Sequence, residues 1–281
     1  MGAPVAASPP DNHLPLSLAQ TPMQPILTTS RRLRKIIVLI LLAAFLLPVV
    51  VRASAYAFYR GTTNWRKADW SSSGLLPRAE TYAPARVLIM SGRAGGLKGV
   101  LAIHSWIVVK RANAESWTRY DVVGWTPVPV QTNYWVADAR WFDTVPTIVA
   151  DISGAEAQAL IPKIETAAQH YPYGKSGDYR IWPGPNSNTF VAAVLRAVPE
   201  LELQLPPNAV GRDYRSLPYA GLTDSGTGIE ISLWGVLGVK LGWVEGLELN
   251  VLGLVAGFDF RHPAIKLPGY GRIGFAAASV A

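Results

Sequence analysis

Cysteine is absent from all 281 residues, which removes disulfides, thiolate zinc sites, iron–sulfur clusters and a cysteine nucleophile at once. Charge is scarce as well: Asp, Glu, Lys and Arg make up 16% of the chain, against 49% apolar residues. The net charge of +7 at pH 7 is concentrated near the start. Five Lys and Arg precede residue 53 beside a single acid, which leaves 21 basic and 18 acidic residues for the rest. So slight a surplus gives nucleic acid little to bind, and no nucleic-acid partner is expected. The Gly-rich stretch Ser91-Gly-Arg-Ala-Gly-Gly-Leu-Lys98 lacks the Gly-Lys-Ser/Thr ending of a phosphate loop and leads into a strand, so it reads as a hairpin connection. No His and carboxylate fall at a metal-ligand spacing, no internal repeat is evident, and neither metal nor cofactor is expected.

What is abundant is aromatic and turn-forming. Ten Trp and eleven Tyr supply large surfaces for burial, and Gly and Pro together number 47, which favours short strands and many turns over a helical bundle. Residues 1–30, rich in Pro and without periodicity, read as a disordered cytoplasmic tail. Residues 31–59 read as a membrane anchor: Arg31-Arg-Leu-Arg-Lys35 precedes sixteen consecutive apolar residues, Ile36 to Val51, and the segment extends to Tyr59. The basic cluster places the N-terminus inside and everything from about residue 60 on the far side, with lipid as a partner through a single span. A cleaved signal peptide ending at Ala53-Ser-Ala55 is the alternative; the intervening Arg52 and the long tail favour retention.

Residues 60–84 read as a polar linker whose Trp65, Trp70 and Tyr82 sit near headgroups, and residues 85–281 as one globular α+β domain. Within it, Arg86 to Met90, Val100 to Lys110 and Ser116 to Trp125 read as strands, the last two pairing antiparallel around a turn near residues 112 to 113. That turn sets His104 across from Tyr120 or Asp121. Ser153-Gly-Ala-Glu156 has the form of a capping box opening a helical stretch to His170, in which Pro162 marks a kink or a second start. From Gly228 to Phe260 the apolar residues Ile229, Ile231, Leu233, Val239, Leu241, Leu247, Leu249 and Val251 alternate with Glu230, Lys240 and Glu248. Charges at that spacing argue against a second span and for a C-terminal β-meander with one face on the domain.

The chemistry centres on Asn186-Ser187-Asn188-Thr189-Phe190. Phe190, Val191, Val194, Leu195 and Val198 recur at helical spacing, Pro199 ends the run, and Asn186 or Ser187 is a natural N-cap. A serine before a helix is ordinarily only a cap, and a lone strand histidine is ordinarily a hydrogen-bonded cleft or core residue. Here, however, free amides and the positive end of the helix dipole suit an acyl-transfer nucleophile and its oxyanion. His170 reads as a helix C-terminal residue favoured by the dipole, and His13 and His262 carry no motif.

Strand with His104, partner strand, helix, Tyr-x-Tyr loop and polar helix start follow the order of circularly permuted papain-like domains, the relatives of NlpC-type cell-wall peptidases and lecithin:retinol acyltransferase-like proteins. Those families show an Asn-Cys pair where this chain has Asn186-Ser187. The strings His-Ser-Trp at 104–106, Tyr-Asp-Val-Val-Gly-Trp at 120–125 and Trp-Pro-Gly-Pro-Asn-Ser-Asn-Thr-Phe at 182–190 also resemble an uncharacterised bacterial envelope family, domain of unknown function number 3750, over residues 60–281. The resemblance implies a protein of the bacterial inner membrane whose domain lies outside the cytoplasm. It implies Ser187 as nucleophile, His104 as base and Asp121 or Tyr120 as the residue orienting it, with amides of Ser187 and Asn188 as oxyanion donors. Asn186, Asn188, Tyr120, Tyr173 and Trp182 are then binding residues for a peptidoglycan peptide or a lipid. A non-catalytic binding or structural protein that keeps the cleft is the competing expectation. Oligomeric state is left open.

Overall fold

The computed structural model describes residues 1–2, 26–58 and 64–275, so the expected tail lies outside the described residues except at its ends. Residues 1–39 form one unit and 40–281 a second. Helix α1 (Ile26–Ala57) continues through Pro48. It begins five residues earlier than the basic cluster, so residues 26–30 are helical and not tail. Its segment Arg31–Ala57 is long and apolar enough to cross a membrane, a property that anchors and signal sequences share.

The globular part is α+β. A five-stranded antiparallel sheet has the order β4-β3-β2-β1-β5, formed by β1 (Arg86–Arg93), β2 (Ile103–Lys110), β3 (Thr118–Val122), β4 (Val130–Thr132) and β5 (Thr147–Ser153). The Gly-rich stretch does connect a hairpin, with Gly92 opposite His104 and a short 3-10 turn at Gly96–Val100. Helices α2 (Gly154–Gln169) and α3 (Ser187–Ala197) cover one face. Period-two alternation sorts the strands: Val87, Ile89, Ile107 and Val109 meet Ile161, Ile164, Phe190 and Val194 on the helical side. Leu88, Met90, Trp106 and Val108 meet Trp141 and Phe142 on the other. Helix α2 runs unbroken through Pro162, and the Ser153 side chain makes no cap bond, so the expected capping box is not formed.

The expected linker is, over residues 64–84, part of this second layer. Ser72 and Ser73 donate hydrogen bonds to Asp138, and the Trp70 ring packs edge-on against Trp141 and Phe142 at 4.9 and 5.0 Å. Burial against an aromatic cluster outweighs the headgroup position assigned to Trp70.

The C-terminal meander is larger than expected. Its seven strands, β6 (Tyr219–Leu222), β7 (Gly228–Leu233), β8 (Leu237–Gly242), β9 (Gly246–Val251), β10 (Leu254–Asp259), β11 (Ala264–Leu267) and β12 (Gly271–Gly274), are hydrogen-bonded in sequence order. Leu252-Gly253, between the paired Val251 and Leu254, holds positive φ at both residues, the requirement of a tight two-residue hairpin that matches strand twist; Trp234-Gly235 does the same within a three-residue turn. The buried face is the charged one. Glu230 pairs across with Lys240, and Lys240 with Glu248, while Arg212 and Arg215 from the preceding loop bridge to Glu248 and Glu230. Lys266 reaches Glu248 at 2.5 Å, and Lys240 reaches Asp213 at 2.7 Å. Opposite charges in register offset one another inside, and the leucine and isoleucine face is left outside.

Candidate functional site

His104 sits near the start of β2, where strand parity turns it toward the aromatic layer. Its ring stacks on Trp141 with centroids 3.7 Å apart and planes 5° from parallel. Gly92 makes room for this: a Cβ there would run into the Trp141 side chain. Nε2 lies 2.7 Å from Asp121 Oδ1. Tyr120 pairs with Ile107, so the register differs by two residues from the one expected, and its continuation puts Asp121 across from Trp106. Asp121 therefore reaches His104 diagonally on the shared face, within the span that such neighbours bridge.

Asp121 is fully engaged. Oδ2 accepts from Arg119 Nε at 3.1 Å and Nη2 at 2.5 Å, and Oδ1 accepts from the Val122 amide at 2.8 Å. Burial alone would raise its pKa, but His104 and Arg119, by charge and by hydrogen bond, bring it down to about 2. Arg119 is buried two residues away on the same face, its guanidinium 4.1 Å from the centre of the Trp106 ring. Burial pushes the His104 pKa down, more strongly than Asp121 draws it up, with Arg119 pushing the same way. The imidazole is neutral at pH 7. Because an ionised Asp121 only accepts, the proton is on Nε2, and Nδ1 is the acceptor nitrogen, with no protein partner among the described residues.

Ser187 opens α3 on the opposite side of the sheet. Asn186 is the N-cap: its Oδ1 accepts from the Asn188 and Thr189 amides at 3.0 and 3.2 Å, and the Thr189 hydroxyl accepts from the Asn186 amide, completing a capping box. Asn186 Nδ2 donates to the Ile181 and Val210 carbonyls. The expected oxyanion donor at Asn188 is thus spent on the cap, and Asn186 has no polar group left for a ligand. The Ser187 amide and hydroxyl have no partner among the described residues. Asn188 donates Nδ2 to the Ile103 and Val210 carbonyls, tying α3 to the start of β2, and leaves a buried Oδ1 unpartnered.

The two sides meet at the start of β2 in a cleft of about 280 Å³ lined by both His104 and Ser187. No hydrogen bond joins the two side chains directly. Asn186, Asn188 and Trp182 line it too, the last held by its indole N–H to the Leu252 carbonyl at 3.0 Å. Tyr120 and Tyr173 do not. Strand parity turns Tyr120 to the helical core, and Tyr173 packs among Tyr171 and Tyr214 on that same side. Asp121 lies behind His104 and supports it without lining the cleft.

The rest of the wall is mainly apolar and aromatic, with Trp125, Trp141, Phe142, Tyr179, Ile181 and Leu254 among its residues, and Lys98 lines it as well. Burial, and after it the Asp121 charge, pushes the Tyr179 phenol up to about 12, so it stays protonated. The one signal for this wall was the aromatic density of residues 117–142. Arg119 had a clearer one, its place two residues from Asp121 on a strand. Among the described residues no group of three or more His, Asp and Glu is placed to hold a metal.

Residues 84–214 match the model of a family described as protein of unknown function (DUF3750). The match contains His104, Asp121 and Ser187 and is shorter than the 60–281 expected; the C-terminal meander lies beyond it. No curated protein and no solved structure matches the chain.

Proposed function

We propose that the chain is a membrane-anchored cell-envelope protein whose cleft hydrolyses or transfers an acyl group from an amide or ester, with Ser187 as nucleophile and His104 as general base. One observation carries the reading: a neutral imidazole, bound through Nε2 to Asp121 and open at Nδ1, lines the same cleft as a serine in the first turn of α3. Ser187 Oγ attacks the carbonyl carbon while Nδ1 takes the hydroxyl proton, and Asp121 stabilises the imidazolium so formed. The oxygen that becomes negative is met by the Ser187 amide and the positive end of α3. His104 then passes its proton to the leaving nitrogen or oxygen, and the acyl group stays on Ser187 until water or another acceptor takes it. Peptidoglycan peptides and lipids are the substrate classes, with α1 as the anchor and the domain on the non-cytoplasmic side. The order of elements supports kinship with permuted papain-like domains.

The test is labelling of the full-length protein by a fluorophosphonate, which acylating serines attack. Labelling on Ser187 is expected, lost in Ser187→Ala and His104→Ala. Since Asn186 is the cap and the Ser187 hydroxyl is unbonded, Ser187→Ala should change stability by less than about 1 kcal/mol. A second reading, a cleft that binds without turnover, is favoured by the missing direct hydrogen bond between Ser187 and His104. Unlabelled protein with unaltered folding would select it.

A further inference from the structure

The outward face of the seven-stranded sheet is built of apolar rows in register. Leu222, Ile229, Leu241, Leu247, Phe258, Ile265 and Ile273 pair successively across all seven strands, and each is exposed. A second row runs Ala220, Ile231, Val239, Leu249 and Ala256, and a third Leu233, Leu237, Val251 and Leu254. No strand residue on this face is charged, because Glu230, Lys240, Glu248, Asp259 and Lys266 all turn inward. Strands about 4.8 Å apart and about 17 Å long give a patch of roughly 500 Å². That is at the upper end of the largest apolar patch on a soluble monomer, about 300–600 Å². It is also short of the about 800 Å² per partner that a stable protein interface covers.

The end of α1 touches both the β1–β2 connection and, through Arg52, the β11–β12 turn of this sheet. Tyr56 donates its hydroxyl to the Gly96 carbonyl at 2.7 Å. Arg52 donates to the Val100 carbonyl at 3.4 Å, and its guanidinium lies 5.2 Å from the centre of the Tyr270 ring, in the turn between β11 and β12. Arg52 and Tyr56 follow directly on the apolar run, the place where Arg and Tyr sit at the headgroup level of a spanning helix. The β12 edge is therefore one side chain from the lipid surface. Exposed Trp234, Trp243, Phe260 and Phe275 stand at strand ends around the patch, the residue types that lipid–water interfaces favour.

We propose that this apolar sheet face rests on the bilayer that α1 enters, so that the domain is held to lipid by a surface as well as by a helix. The proposal rests on α1 as a membrane span and is independent of any chemistry at Ser187. Lipid suits the patch where a protein partner does not: a bilayer needs no shape complement and no minimum area, and it accepts a face without hydrogen-bonding side chains.

Because the chain has no cysteine, single spin labels can be placed without background. Ile231→Cys and Leu247→Cys report on the face, Leu42→Cys on α1 and Glu156→Cys on the exposed side of α2, each in the full-length protein reconstituted in lipid vesicles. The expected result is that face labels, like the Leu42 label, are relaxed more by oxygen than by a water-soluble nickel chelate, and the Glu156 label the reverse. Face labels as open to nickel as Glu156, beside a lipid-buried Leu42, overturn the proposal alone. An aqueous Leu42 label sinks the anchor and the proposal together. Face labels shielded from both reagents also overturn it: spin–spin broadening then identifies a second copy as the cover, and its absence another protein. The labelled side chains are exposed, so the buried charged face is untouched; should one variant misfold, Val239→Cys replaces it.

Discussion

Replacing Asp121 by Asn tests the support of His104 with a change of one atom. The carboxylate accepts four hydrogen bonds: from His104, from the Val122 amide and two from Arg119. An amide has one oxygen to offer. If the oxygen stays on Arg119, the new NH2 meets His104 Nε2, which must become the acceptor; the ring proton moves to Nδ1 and the base is lost. If the oxygen stays on His104, the NH2 faces a guanidinium and donor meets donor. Either way Arg119, about 1% exposed, loses its counter-charge. Removing one partner of a buried ion pair costs about 3–5 kcal/mol. Arg119 keeps the Val136 carbonyl at 3.2 Å and the Trp106 ring, so the low end, about 3 kcal/mol, is expected. The assay is urea unfolding of the full-length protein in detergent, followed by tryptophan emission, since Trp106 and Trp141 flank the pair. Nitrogen NMR of the His104 ring reads the tautomer alongside. Stability within 1 kcal/mol of the parent together with an unchanged Nε2–H ring would refute both the buried pair and the assignment of Nδ1 as base.

Gly92→Ala pushes a methyl group into Trp141 and so unseats the ring on which His104 lies; fluorophosphonate labelling should fall well before the fold melts, and equal losses of the two would count against the stack as a positioning device. Asn186→Ala removes a cap that also ties two loop carbonyls, and a loss of about 2 kcal/mol in urea unfolding is expected, with less than about 0.5 kcal/mol showing that the loops hold α3 without it. The pH dependence has two stages of one sign. Burial holds the His104 pKa below 6.5, so the unfolded chain takes up its proton first and stability declines as pH falls below about 6.5. Asp121 is depressed from 3.8 to about 2, so its stabilisation, about 2 kcal/mol, is complete above pH 4 and disappears between about pH 4 and 2. Urea midpoints that stay level from pH 7 to 4 in the parent would contradict the buried neutral histidine.

Much of this was legible where a local rule has one solution. The apolar spacing of Phe190 to Val198 and the stop at Pro199 mark α3, and the Gly-rich stretch between two apolar runs marks the β1–β2 hairpin. Alternation marks two faces of the meander without saying which is buried, and here Ile229, Ile231 and Leu233 lie outside and Glu230 inside. The information that decides this is non-local. Glu230 is tolerable inside because Lys240 stands across from it and Arg215 comes from an earlier loop. No single segment contains that balance. The site divides the same way. Asn186-Ser187 and His104 carry their own signals, whereas the choice of Asp121 over Tyr120 depends on strand parity and a register two residues from the simplest turn. Trp141, which positions His104, comes from a stretch with no periodicity to read.

The placement of the two working groups on opposite sides of one sheet has a consequence for how this cleft can be adjusted. His104 is fixed by the layer of Trp106, Trp141 and Arg119, while Ser187 is carried by α3 and follows the packing of Phe190, Val191 and Val194. Repacking under α3 slides the serine past a stationary imidazole, and repacking among the indoles tilts the imidazole over a stationary serine. The only direct polar link between the two mountings described above is Asn188, through the Ile103 carbonyl. The gap between nucleophile and base is therefore a coordinate with two separate handles and a single latch.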